Sequence, residues 1–269
     1  MVGSRIASLW LGAGLLCAPA HGQAPPVAGD ARPAGQGQAA VTKAVPPARL
    51  LELPAAYGPL KSAFLAAPRS PGRAVLLIGA MGADPGQYDH LTRPLQQKGY
   101  AVLTVQYPAN IRRAGPDAGR IDVRRLTADG VPDLLRDLDA AVAFLDKEEG
   151  VDASKIAIIG SGLGATLATL MGAKDPRVAA LVYVDPGKHC ESSNHQESLR
   201  ACSGKPSLLV AGAEKDFRTF FRESGLANYQ MIEAMLPGEE LPADRLTMQP
   251  RVVTELISWF LANYPPASS

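Results

Sequence analysis

Residues 156–165 read IAIIGSGLGA, an apolar run that passes into alternating glycines. The apolar part is typical of a strand buried on both faces of a sheet. Gly160 and Gly164 have the spacing at which a strand turns sharply into a helix that packs close to it. The centre of this turn is Gly162, and the only serine, Ser161, stands one position earlier. The stretch therefore predicts a strand–turn–helix unit with a glycine at its centre.

Apolar strand signals alternate with helical periodicity on both sides of this unit. The expected strands are Ala74–Ile78, Ala101–Val105, Ile156–Ile159, Val178–Val184, Ser207–Ala211 and Tyr229–Leu236. The expected helices are Tyr88–Lys98, Val131–Lys147, Gly164–Gly172, Phe217–Ser224 and Pro250–Asn263. This alternation predicts an α/β fold with a mainly parallel, doubly wound sheet and helices on both faces. Arg49–Pro54 and Leu60–Ala67 are expected to form antiparallel strands at the N-terminal edge.

The N-terminal sequence predicts export followed by a tether. Residues 1–20 contain Arg5, a short apolar run and Ala18-Pro19-Ala20, the arrangement of a secretory signal peptide. Residues 21–47 are rich in Pro, Ala and Gly, which predicts a disordered linker. The folded domain is expected at residues 48–265. We expect a periplasmic or secreted protein with no stable membrane insertion after signal removal.

Charge and cysteine content narrow the possible partners. The formal net charge of +1 does not indicate a nucleic-acid partner. After signal removal Cys190 and Cys202 remain, an even number in an oxidising compartment, which favours a disulfide between them. The alternatives are free thiols or a metal site that adds His189 and His195. No metal is expected, because these spacings match no compact zinc pattern.

Three segments together carry a family resemblance: KIAIIGSGLGATLATLM (155–171), DPRVAALVYVDPG (175–187) and PSLLVAGAEKDF (206–217). In this order they resemble the α/β-hydrolase superfamily, and most closely its small members without a large cap, such as dienelactone-hydrolase-like and serine-esterase-like proteins. The resemblance covers nearly everything after residue 70. It implies an α/β-hydrolase fold and a nucleophile–acid–base triad.

The resemblance assigns three triad positions, and two of them lack the required chemistry. The nucleophile position is the centre of the elbow, Gly162, which has no side chain to attack a carbonyl. The acid position is Asp216 in GAEKD. The base position is Leu241, which stands where the family has histidine, and no histidine follows Cys202. No catalytic residue is therefore expected.

Ser161 is the fallback nucleophile. Its neighbours two positions away, Ile159 and Leu163, would crowd a tight elbow, and a serine without an adjacent base is a poor nucleophile. His189 and His195 are candidates for a displaced base, but the interpretation we favour is that both are solvated loop histidines. His90 is expected at the surface of a helix.

Two further groups are candidate ligand contacts. The resemblance implies an oxyanion hole of backbone N–H groups, here from Leu163 and from Met81. Residues 111–125 hold five arginines. From these we take Arg112, Arg113 and Arg120 as candidate contacts to a carboxylate or phosphate. The alternative is that this charged run is a solvated face.

Three hypotheses about function follow. The favoured one is an exported, catalytically inactive pseudo-hydrolase that binds a small acyl or anionic ligand, or a protein partner, in the cell envelope. The second is an active carboxylic-ester hydrolase that uses Ser161 with a displaced base. The third is a structural or interaction module. No cofactor is expected, because the glycines at 160, 162 and 164 do not have the Gly-x-Gly-x-x-Gly spacing of a dinucleotide site.

Overall fold

The computed structural model describes residues 46–55, 59–108, 111–112, 120–121, 131–186, 193–211, 226, 228–234 and 247–267. The predicted signal peptide, most of the predicted linker and the predicted helix Phe217–Ser224 lie outside these ranges. None of the helices in the described ranges is long and apolar enough to cross a membrane.

An eight-stranded sheet organises the described residues. Its strands run in the spatial order β1-β2-β4-β3-β7-β8-β9-β10. They are β1 (Arg49–Leu53), β2 (Leu60–Leu65), β3 (Gly72–Ile78), β4 (Tyr100–Gln106), β7 (Val151–Ser161), β8 (Val178–Val184), β9 (Ser207–Ala211) and β10 (Tyr229–Glu233). β1 pairs antiparallel to β2, and β2 pairs antiparallel to β4. All other pairs in this sheet are parallel, as predicted.

A short second ladder lies within residues 111–125, the arginine-rich segment. β5 (Ile111–Arg112) and β6 (Arg120–Ile121) pair antiparallel, and Arg112 is the register partner of Arg120. This pairing brings the backbones of Arg112 and Arg120 next to each other.

Helices cover both faces of the large sheet. They are α1 (Asp89–Gln97), α2 (Val131–Lys147), α3 (Leu163–Lys174), α4 (Ser193–Ala201) and α5 (Pro250–Asn263), and a 3₁₀ turn at Pro85–Tyr88 precedes α1. One buried apolar cluster joins α2, α3 and α4 to one face of the sheet. A second joins α1 and α5 to the other face. This three-layer arrangement confirms the predicted fold class.

Residues alternate between the two clusters along each central strand, as the pleat requires. On β7, Ile156 and Ile158 face α2 and α3, whereas Ala157 and Ile159 face α1 and α5. The same alternation continues to the carboxyl ends of the strands, where ligands bind in open α/β sheets. It therefore fixes the face on which Ser161 lies.

Candidate functional site

The turn between β7 and α3 has the geometry of a nucleophile elbow. β7 ends at Ser161 and α3 begins at Leu163, so Gly162 alone connects them. Its dihedral angles are φ 57° and ψ −119°, a conformation that side chains disfavour. The Gly162 N–H donates to the Val184 carbonyl at 2.9 Å, which fixes the turn to β8.

The two flanking glycines are required by close packing of backbone on backbone. A Cβ at Gly160 would lie 2.2 Å from the Gly164 carbonyl oxygen. A Cβ at Gly164 would lie 2.3 Å from the Ile78 carbonyl oxygen, at the end of β3. Neither backbone oxygen can move aside as a flexible side chain would. The structure therefore explains the four-residue glycine spacing by the contact of α3 with β3 and β7.

The central glycine is in a different position from its neighbours. A Cβ at Gly162 would meet nothing within 4 Å. The elbow thus presents its central residue to open space, where a nucleophile would stand, but this chain has no side chain there. The required turn is present and the attacking atom is not.

Ser161 does not take over that position. Its side chain is 1% exposed, and the alternation along β7 places it beside Ile159 on the α1 and α5 face of the sheet. Its Oγ is buried and has no hydrogen-bond partner. Because no described residue accepts its proton, Ser161 lacks the activation that nucleophilic catalysis needs.

The two histidines that the structure describes lie within hydrogen-bond distance of threonine hydroxyls and do not bond to Ser161. A ring nitrogen of His195, on α4, lies 2.9 Å from Thr169 Oγ1 on α3. His195 is buried, so its interpretation as a solvated loop residue is wrong. His90 is half-buried and lies 3.0 Å from Thr247 Oγ1, so it is not a simple surface residue either. His189 lies outside the described residues.

The loop after β3 is held in place by two hydrogen bonds. The Ala80 N–H donates to the Tyr88 hydroxyl at 2.8 Å, and the Gly82 N–H donates to the Tyr107 carbonyl at 2.9 Å. Met81 lies between these two bonded residues, and its N–H makes no backbone hydrogen bond within the described ranges. The N–H of Leu163, the first residue of α3, makes no such bond there either. Met81 and Leu163 therefore remain the candidate donors to a ligand oxygen.

Tyr107 anchors the end of β4 near this loop. Its hydroxyl donates to the Leu134 carbonyl on α2 at 2.8 Å. Burial, with the nearby charge of Asp137, raises the pKa of Tyr107 well above its ordinary value. Tyr107 is therefore a neutral structural donor.

Several predicted positions are outside what the structure describes. These are the acid position Asp216, the base position Leu241, Arg113 and Cys190. Arg112 and Arg120 are described only through their backbone pairing in β5 and β6. Within the described ranges, no group of three or more His, Cys, Asp or Glu residues could hold a metal ion.

Cys202 is a free, fully buried thiol. Its Sγ donates to the Thr169 carbonyl at 3.5 Å, and a Cβ on Gly172 would lie 3.0 Å from it. The sulfur therefore points at α3. The predicted disulfide between Cys190 and Cys202 is not supported, because Cys202 is directed into the core.

The free thiol predicts slow alkylation. Burial raises the pKa of Cys202 to about 11, so at pH 8 the reactive thiolate is scarce. We expect iodoacetamide at pH 8 to modify Cys202 about 100-fold more slowly in the native protein than in guanidinium chloride. Peptide mass mapping without reductant measures this. If Cys202 were protected from alkylation in guanidinium chloride until a reductant was added, the predicted Cys190–Cys202 disulfide would be supported instead.

Comparison with known proteins agrees with this geometry. In solved structures the chain is similar to DcsB, determined with a substrate analogue, with a TM-score of 0.59, 14% identity, and 81% of this chain and 99% of that chain covered. It is also similar to a Klebsiella pneumoniae protein assigned as a dienelactone hydrolase, with a TM-score of 0.57, 18% identity, and 80% and 97% covered. It is similar as well to Est1E from Butyrivibrio proteoclasticus, with a TM-score of 0.53, 12% identity, and 78% of this chain and 98% of that chain covered. No curated protein matches at a significant level.

The sheet order, the elbow and these similar structures define an α/β-hydrolase fold. The family model of the dienelactone hydrolase family matches residues 62–235. The chain therefore belongs to the dienelactone hydrolase family. Family members and structural neighbours are hydrolases, which makes the missing nucleophile side chain the central question about this protein.

Proposed function

We propose that this protein is a catalytically inactive α/β-hydrolase that binds a small acyl or anionic ligand at its elbow. The observation that carries this proposal is Gly162, a residue with no nucleophilic atom, at the centre of an otherwise complete elbow. Removing triad members leaves only the small acceleration due to binding and the oxyanion hole.

The binding part of the proposal rests on backbone donors. Leu163 directly follows the elbow as the first residue of α3, and Met81 lies in the loop after β3, the strand on which α3 packs at Gly164. Backbone N–H groups at a helix N-terminus favour a carboxylate or a polarised carbonyl oxygen. Loss of a nucleophile leaves these donors unchanged, because they do not depend on side chains.

The cell envelope is the proposed location. The reason is the sequence of residues 1–20, which has the arrangement of a signal peptide. Fractionation of the native host with an antibody to the folded domain tests this. Detection of the full-length chain, uncleaved, in the cytoplasm alone would contradict the proposed export.

The inactivity predicts that Ser161 makes no contribution to ester hydrolysis. We expect the protein to hydrolyse p-nitrophenyl acetate at the same rate as its Ser161→Ala variant, since Ser161 Oγ is buried on the face of the sheet that α1 and α5 cover. Initial rates of the two proteins at equal concentration measure this. A rate about 100-fold lower in the variant would support the active ester hydrolase.

Thermal stabilisation distinguishes a ligand-binding protein from an interaction module. A ligand that binds the native state raises Tm as its concentration rises above Kd. We expect acetate, phosphate or short acyl compounds to raise Tm, and Leu163→Pro, which removes one N–H donor at the first helical position, to abolish the shift. No shift with any of these probes would favour a partner surface.

A further inference from the structure

Two buried polar side chains lie at the carboxyl end of the sheet, beneath the loop that carries Met81. Gln106 is the last residue of β4 and is 3% exposed, and Ser161 is the last residue of β7 and is 1% exposed. Within the part of the chain that the structure describes, neither the Gln106 amide nitrogen, nor its oxygen, nor Ser161 Oγ has a hydrogen-bond partner. Three orphaned polar atoms in one region are costly, because each forgoes the bonds that it makes in water.

The two residues are neighbours across β3. Val105 of β4 and Gly160 of β7 both pair with Ile78, so Gln106 and Ser161 flank the next residue, Gly79. The Gln106 amide lies directly over Gly79, where a Cβ would be 2.0 Å from its Nε2. Gln106 therefore reaches across β3 towards β7, and both side chains lie on the α1 and α5 face.

The described residues around this pair carry no charge. The strand residues next to the pair on this face, Leu77, Thr104 and Ile159, are buried and uncharged. Among the described residues, the fully buried polar side chains of this face are all uncharged: Thr92, Gln96, Thr104, Gln106, Ser161 and Thr247. An ion placed here would find no buried counter-charge on this face among the described residues, which is far more costly than placing a neutral polar group.

We propose that Gln106 and Ser161 form a binding site for one uncharged hydrogen-bonding group. The Gln106 amide offers two donors and an acceptor oxygen, and the Ser161 hydroxyl offers one donor and accepts. A hydroxyl or a primary amide satisfies both side chains together. The group is an internal water molecule or the neutral polar end of a bound ligand. The site does not depend on the proposed function, since it uses neither Met81 nor Leu163.

A double-mutant cycle tests whether the two side chains share one occupant. The variants are Gln106→Met, Ser161→Ala and their combination, with Thr104→Val as a control that removes a buried hydroxyl from the same face of β4. We expect each single variant to lower Tm and the double variant to lose less than the sum. A single variant that raised Tm would overturn the proposal, because removing a dry and unpartnered amide stabilises the protein. It would also be overturned if the Tm losses of the two single variants added up in the double variant.

Nuclear magnetic resonance on the wild-type protein identifies the occupant. The side-chain amide signals absent from the Gln106→Met spectrum, or assigned directly through the backbone, belong to Gln106. A cross-peak from these protons to water that survives excess formamide assigns internal water. A shift of the same signals by formamide or ethanol, with no effect of acetate, assigns the neutral end of a ligand. If the Gln106 signals show no cross-peak to water and also no shift with formamide or ethanol, the proposal is overturned. An equal response to acetate would overturn it too.

Discussion

Replacing Gly164 by alanine is expected to destabilise the protein by about 3 kcal/mol. The new Cβ would lie 2.3 Å from the Ile78 carbonyl oxygen, at the point where the first turn of α3 packs on β3. Relief requires α3 to move away from a sheet strand that is buried on both faces. The free energy of unfolding from urea titration, followed by circular dichroism, measures the change.

Gly204 is the matched control for this substitution. A Cβ at Gly204 would meet nothing within 4 Å, and the residue is exposed. Gly204→Ala is therefore expected to change the free energy of unfolding by less than about 0.5 kcal/mol. If Gly164→Ala cost no more than Gly204→Ala, the close contact between α3 and β3 would be incorrect.

The second large effect is a gain of reactivity in the double variant Gly162→Ser with Leu241→His. Among the described residues nothing lies within 4 Å of a Cβ at the elbow centre, so a serine there has room, although it takes the strained positive-φ conformation of the turn. The histidine restores a general base at the position that the family resemblance assigns, where Asp216 is the expected acid. We expect fluorophosphonate labelling about 100-fold faster than in the Gly162→Ser single variant, which has the hydroxyl but no base.

Two controls make that gain interpretable. Gly204→Ser adds a serine at an exposed position without an elbow and is expected to stay unlabelled. Gly162→Ser alone is expected to label slowly, because its hydroxyl has no base. A double variant that folds, with the wild-type circular dichroism spectrum, and yet stays unlabelled would contradict the assignment of these positions.

The sequence predicted the central strands and the elbow well, because both depend on local patterns. β8, β9, α2 and α5 have the predicted bounds. Continuous apolar runs identify strands buried on both faces, and the spacing of Gly160 and Gly164 reflects a backbone contact that only glycine permits.

The segment after β8 shows where the same reasoning failed. The polar composition of residues 193–201 predicts no helix and places His195 in a solvated loop, yet these residues form α4. The residues that α4 and its end bury are His195, Leu199 and Cys202, a spacing of four and three that fits one helical face. That spacing was present in the sequence. The sequence could not indicate that a histidine and a free thiol would be buried, because their burial depends on packing against α3.

Ser161 and Gln106 illustrate a second limit. The sequence indicated that Ser161 is not at the centre of the elbow, and the pleat then gives its face. The sequence could not indicate that Gln106 reaches over Gly79 towards the same place, since that proximity is created by the order β4-β3-β7. Non-local strand order is not encoded in local periodicity.

The most direct test of the central claim is the intact mass of the wild-type protein after incubation with an excess of fluorophosphonate. The account predicts no added mass, because Gly162 has no nucleophilic atom and Ser161 Oγ is buried without a base. A single stoichiometric adduct that peptide mapping places on Ser161, and that Ser161→Ala removes, would contradict it.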